Sequence, residues 1–127
     1  MIVLDASCAL KLILRQASTD LARRVMGAEV HAPCLLDTEV ASALRRLLRQ
    51  RELDIERATA GLDWLFDLGI ERHHGEELAR RALALRNSLS TYDATYVAVS
   101  ELLDAPLLTA DARLAKSHGH HARIELI

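Results

Sequence analysis

The sequence predicts an α/β domain: a mainly parallel central sheet of about five short strands, flanked by helices on both sides. Three observations predict it. Short, mostly apolar stretches read as strands lie near 2–5, 29–32, 70–73, 106–109 and 123–126, and the stretches between them carry helical periodicity. Almost every gap holds one or two helices, and a strand regained by way of a helix is the crossover that parallel pairing requires. Half of the 127 residues are hydrophobic, yet only Trp64, Phe66, Tyr92 and Tyr96 are aromatic, so one aliphatic core of single-domain size is expected over 1–127.

Each element follows from its local pattern. The opening IVL runs into Asp5, and helices are expected over 7–14 and 18–26 before the second strand. The clearest helix runs from Pro33 to about Arg51. There Leu36, Val40, Ala43, Leu44, Leu47 and Leu48 recur at helical spacing, and Pro33 suits a first-turn position. The next, from about Asp54 to Leu68, carries Ala58, Leu62, Leu65 and Phe66 and stops at Gly69, a C-cap signal. Helices over 76–87, 91–103 and 111–117 complete the order, with no internal repeat, linker or low-complexity segment.

Composition excludes several classes. Cys8 and Cys34 read as free thiols of a reducing compartment. Asp5 and Lys11 interrupt the first sixteen residues, which rules against a targeting segment, and no run reaches the eighteen or so apolar residues of a membrane span. A soluble, cytoplasmic protein without membrane contact is expected. Dinucleotide and P-loop sites lack their glycine patterns. The net charge of -2 gives no prior for nucleic acid, although arginines bunch at Arg45, Arg46 and Arg49, a run that also suits a solvated helix face.

In parallel α/β sheets ligands bind beyond the carboxyl ends of the strands, so the acids there carry the chemistry. Asp5 ends the first strand, and Asp111 follows the strand that ends near Thr109. Glu39 falls on the second turn of the helix begun at Pro33, and Asp93 falls in the first turn of the helix in LSTYDATYVAVSELL. Each also has a structural reading: Asp5 and Asp111 as N-caps, Asp93 as half of a capping box with Ser90, Glu39 as a glutamate favoured by the helix dipole. Glu39 and Asp93 border apolar stripes, however. Carboxylates at a core margin repel unless a cation meets them, and an oxygen-only set suits Mg²⁺ or Mn²⁺.

The segments MIVLDAS, APCLLDTEVASALRRLLRQ and LSTYDATYVAVSELLDAPLLTADARLA together resemble the PIN-domain ribonucleases, and specifically the VapC toxins of type II toxin–antitoxin pairs. The resemblance implies a single PIN-like domain and a metal-dependent endoribonuclease that leaves a 5′-phosphate and a 3′-hydroxyl. It matches Asp5, Glu39, Asp93 and Asp111 to the family's four acidic positions, as catalytic residues and ligands of Mg²⁺ or Mn²⁺. Thr109 matches its hydroxyl position, and Ser7 resembles a small polar residue after the first acid. Ala112, Arg113 and Leu114 stand where some members carry a further acid or asparagine. The resemblance further implies a homodimer and a cognate VapB-type antitoxin.

Setting the four acids aside leaves 14 acidic against 16 basic residues, a balance RNA tolerates, and Arg45, Arg46 and Arg49 become candidate backbone contacts. A catalytically silent PIN-like module that binds RNA or protein is the competing reading. A receiver-type phosphoacceptor would want adjacent acids after the first strand and a lysine after a late one, and neither is present. His118, His120 and His121, and likewise His73 and His74, read as solvated turns, because no second ligand group is placed to close a metal site.

Overall fold

The computed structural model describes residues 1–127. Five strands form one sheet: β1 (Ile2–Leu4), β2 (Val30–Pro33), β3 (Glu71–His73), β4 (Leu107–Thr109) and β5 (Ile124–Leu126). Their order is β3-β2-β1-β4-β5, and every pairing is parallel. The chain builds outward from β1 to β3, then returns to the other side of β1 for β4 and β5. That reversal puts a topological switch point between β1 and β4, where a crevice opens beyond the strand ends.

Seven helices make the crossovers: α1 (Ala6–Ile13), α2 (Thr19–Met26), α3 (Leu35–Arg49), α4 (Ile55–Asp67), α5 (Glu76–Ala84), α6 (Thr91–Leu103) and α7 (Ala112–Ala115). One group, α1, α3 and α4, packs together, while α5 and α6 pack on each other and α6 lies along β1 and β2. The central strands are mostly apolar because both faces are covered, and Val3, Leu4, Leu107 and Leu108 are fully buried. Helix α6 buries Ala94, Tyr96, Val97, Ala98, Val99 and Ser100, more than one stripe, as expected of a helix wedged between sheet and neighbour. Its buried Ser100 hydroxyl satisfies itself on the Ala105 carbonyl at 2.6 Å.

Three expectations are corrected. Pro33 does not open a helix. It closes β2 opposite His73, and α3 starts at Leu35 after Cys34. A proline at the last position of a strand forfeits at most one ladder bond, so the fixed ring angle serves the strand end as well as a helix start. His73 is not in a solvated turn but in β3, its ring nitrogen 3.0 Å from that of His31. Two of the later helical stretches are shorter than expected, α5 ending at Ala84 and α7 spanning only 112–115. The C-cap at Gly69 holds, since its φ of 65° is the left-handed conformation that glycine adopts without strain.

Both cysteines are free, Cys8 buried and Cys34 exposed. Burial, with the charge of Asp5 next, pushes the Cys8 thiol up to about 12, which leaves it an inert packing group. No helix is long and apolar enough to cross a membrane.

Candidate active site

Asp5 sits where β1 gives way to α1, at the N-cap position, yet its side chain caps nothing. It accepts instead two hydroxyl bonds on one oxygen: Ser7 Oγ donates to Oδ2 at 2.6 Å and Thr109 Oγ1 at 2.8 Å. Each hydroxyl is itself fixed by a backbone donor. Ala110 N–H reaches Ser7 Oγ at 2.9 Å, and Asp111 N–H reaches Thr109 Oγ1 at 3.0 Å. The ends of β1 and β4 are thereby stitched together around a carboxylate whose Oδ1 carries no protein hydrogen bond. Asp5 is 6 % exposed and Thr109 fully buried, so the arrangement is rigid as well as satisfied.

The other acids converge on this point from separate elements. Glu39, on α3, accepts from the buried Tyr96 hydroxyl of α6 at 2.6 Å. Burial raises its pKa first; the Tyr96 bond opposes that, and the charges of Asp5 and Asp93 add to it. Asp93 stands in the first turn of α6, where Ser90 Oγ accepts from its backbone N–H at 3.2 Å. Burial and then the charges of Asp5 and Asp111 push its carboxyl up, partly offset by Ser90 and Arg113. Asp111 behaves otherwise. Burial would raise it, but the backbone and side chain of Arg113, together with Leu114, hold it below the usual carboxylate range. Its Oδ1 accepts from Arg113 N–H at 2.8 Å and its Oδ2 from the guanidinium at 3.3 Å, so the N-cap role is made.

The structure therefore brings Asp5, Glu39, Asp93 and Asp111 within electrostatic reach of one another, with Ser7 and Thr109 bonded to the first. No three of the four bring ligand oxygens within 4.8 Å of one another, a spread that like charges in one cleft favour. An oxygen-only set in which burial and neighbouring carboxylates raise both Glu39 and Asp93 fits a hard divalent cation such as Mg²⁺ or Mn²⁺, which would lower that repulsion on binding. Arg45, Arg46 and Arg49 do not join the cleft. They are exposed on α3 around a separate depression of about 510 Å³ shared with Ser42 and Gln50.

Sequence reasoning misses two contributors. In the sequence Tyr96 reads only as part of an apolar stripe, although a buried tyrosine needs a partner for its hydroxyl and Glu39 is a candidate on the same core margin. A groove of about 340 Å³ runs beside Asp93, lined by Ser88, Ser90, Arg113, Lys116, Ser117 and His118 among others. Its signal is the ADARLAK segment, where two cations follow the fourth acid within five residues.

Comparisons with known proteins show the family and the fold. A family model described as PIN domain matches residues 2–118. Ribonuclease VapC12 of Mycobacterium tuberculosis is 43% identical over 129 residues, covering 100% of this chain and 99% of that protein. Ribonuclease VapC9 of the same species is 40% identical over 116 residues, 91% of this chain and 89% of its own. Among solved structures, the crystal structure of PAE2754 from Pyrobaculum aerophilum matches with a TM-score of 0.69 over 90% of this chain and 83% of that one, at 23% identity, a likeness of fold.

Proposed function

Because the chain belongs to the PIN domain family, we propose that it is a metal-dependent endoribonuclease, the toxin of a VapC-type toxin–antitoxin pair. The observation that carries the reading is the convergence at the β1/β4 switch point: a carboxylate locked by Ser7 and Thr109, with Glu39, Asp93 and Asp111 delivered around it by three further elements. Mg²⁺ or Mn²⁺ held there would supply an activated water and neutralise charge at the leaving oxygen of the phosphodiester.

The chain's own groups divide the remaining work. Asp5 presents its free Oδ1 to the cleft while Oδ2 is tied down, which fixes the carboxylate plane. Tyr96 turns Glu39 by its hydroxyl bond and opposes the rise in its pKa that burial causes. Asp93 completes the ligand set from the N-terminal turn of α6. Asp111 is held ionised by Arg113 and faces Asp93. The groove with Arg113 and Lys116 is the natural bed for the phosphates flanking the scissile bond, because it abuts Asp93 and supplies cations and hydroxyls. Arg45, Arg46 and Arg49 extend the basic surface on α3 as further backbone contacts.

A VapB-type antitoxin and a second copy of the chain are the partners this reading requires. Helix α4 offers apolar surface for one of them at Ile55 and Phe66, both exposed and about three helical turns apart on one face. The test is cleavage of a total RNA pool by purified protein with Mg²⁺ or Mn²⁺, with EDTA, and beside Asp5→Asn. Discrete fragments that need both the ion and Asp5 support the reading. Absence of cleavage by folded, metal-loaded protein would overturn it in favour of a binding module.

A further inference from the structure

We propose that His31, Glu71 and His73 form a second metal site, separate from the four-carboxylate cleft and suited to a borderline transition-metal dication such as Zn²⁺. The register places the site. In the parallel pair β2–β3, His31 lies opposite Glu71 and Pro33 opposite His73. Side chains two apart on a strand share a face, so His31, Glu71 and His73 project on the same side of the sheet edge. Arg72, between two of them, projects to the other face, where its guanidinium is taken by Asp37 and the Ile70 carbonyl.

The donor atoms meet. His31 Nδ1 lies 3.0 Å from His73 Nε2, and Glu71 oxygens lie 3.6 Å from the first and 4.0 Å from the second. Two imidazole nitrogens on one tetrahedral zinc, each bonded at about 2.0–2.1 Å, stand roughly 3.3 Å apart, so the observed spacings need only tenths of an ångström of adjustment in the rings and a small swing of the carboxylate. All three donors lie within 4.8 Å of one another, the one such grouping in the molecule. The rings are tilted by 40° with centroids 5.2 Å apart, an arrangement that aims nitrogens at each other rather than stacking faces.

Two imidazole nitrogens and a carboxylate gathered at one point exceed what the single His31–His73 hydrogen bond requires. His31 is 7% exposed at its side chain, and its Nε2 is buried without any partner, so Nδ1 is the ring's one polar outlet and it is turned toward the cluster. A proton shared between the two rings would account for two donors and leave the Glu71 carboxylate unexplained. Glu71 is 68% exposed, which gives an ion a path in and leaves open positions for water. Two imidazoles and one carboxylate suit Zn²⁺, Ni²⁺ or Cu²⁺ and not the hard ions of the acidic cleft, so the two sites sort metals by chemistry. An ion there would fasten the three-residue edge strand β3 to β2.

The experiment is calorimetric titration of ZnCl₂ into metal-stripped full-length protein in excess Mg²⁺, which occupies oxygen-only sites and leaves imidazoles free. One Zn²⁺ per chain is expected, retained in Asp5→Asn and in the double variant His118→Ala/His121→Ala. Affinity should fall in Glu71→Gln and in His73→Gln by at least the roughly tenfold that loss of an outer-shell partner alone causes. Glu71→Gln is a surface change that leaves the fold intact, so its result stands even if a histidine variant folds poorly. X-ray absorption of the zinc-loaded protein should show two imidazoles. No uptake, uptake unchanged in Glu71→Gln and His73→Gln, or uptake lost only with His118 and His121 would each overturn the site.

Discussion

The Tyr96 hydroxyl of α6 donates to Glu39 Oε2 of α3 across 2.6 Å, and this bond joins two helices through residues 57 positions apart in the sequence. Tyr96 is fully buried, and its own pKa is raised by burial and then by Glu39. It therefore stays a donor throughout the working pH range.

Tyr96→Phe removes that donor without changing ring volume. A hydrogen bond to a charged group contributes about 1.5–3 kcal/mol, so thermal unfolding should report a loss in that range. The bond opposes the upward shift of Glu39, so its loss moves the Glu39 pKa further up. The acidic limb of the pH–rate profile for RNA cleavage should shift to higher pH. An unmoved limb would limit Tyr96 to packing.

Asp93→Asn should abolish cleavage while leaving the metal-free protein as stable or more stable near neutral pH. The carboxyl of Asp93 is raised by burial and by Asp5 and Asp111, so the fold binds its proton more tightly than the unfolded chain does. That penalty is present above the raised value and is relieved as pH falls through it. Denaturant unfolding of stripped protein should gain stability from neutral to mildly acidic pH, and the gain should shrink in Asp93→Asn.

Mg²⁺ or Mn²⁺ should raise the unfolding temperature of the wild type by mass action on the folded state, through a stabilisation of about 2.7 kcal/mol at a hundredfold excess over the dissociation constant. The same titration on Asp5→Asn should give a much smaller shift. Equal shifts in the two proteins would remove Asp5 from the ligand set.

The pair Arg81–Glu101 gives a pH test away from the cleft. Glu101 is buried at its side chain and accepts from Arg81 at 2.7 and 3.0 Å and from His121 N–H at 3.0 Å. Burial would raise its pKa, but these bonds outweigh burial and lower it. Its contribution is present above the unfolded carboxyl value and lost as pH falls through the lowered one. Glu101→Gln should therefore cost about 2 kcal/mol at neutral pH, with the difference from wild type closing in strong acid.

Replacing Arg45, Arg46 and Arg49 by alanine should weaken RNA binding and flatten its salt dependence by roughly one unit of slope for each phosphate no longer neutralised. An unchanged slope would return them to a solvated helix face.

The fold class was legible because two local signals agree: short apolar runs at the central strands and helical stripes between strands dictate crossovers, and crossovers dictate parallel pairing. The positions of the four acids were legible for a related reason, since Asp5 and Asp111 follow strands and Asp93 and Glu39 fall in the first and second turns of helices. Pro33 misled because its ring angle suits both a helix start and a strand end, and only its pairing with His73 distinguishes them.

By itself, then, the sequence determined the element order, the aliphatic core and which carboxylates stand at element ends, all properties set within a few residues by periodicity and backbone chemistry. The tertiary structure alone decided that Thr109 and Ser7 close on one oxygen of Asp5, that Tyr96 holds Glu39, and that His31 meets His73 across 42 positions of chain. Those contacts depend on strand register and helix rotation, which one-dimensional periodicity does not encode: sliding a strand by one residue would turn His31 to the opposite face and leave its hydrophobic count unchanged.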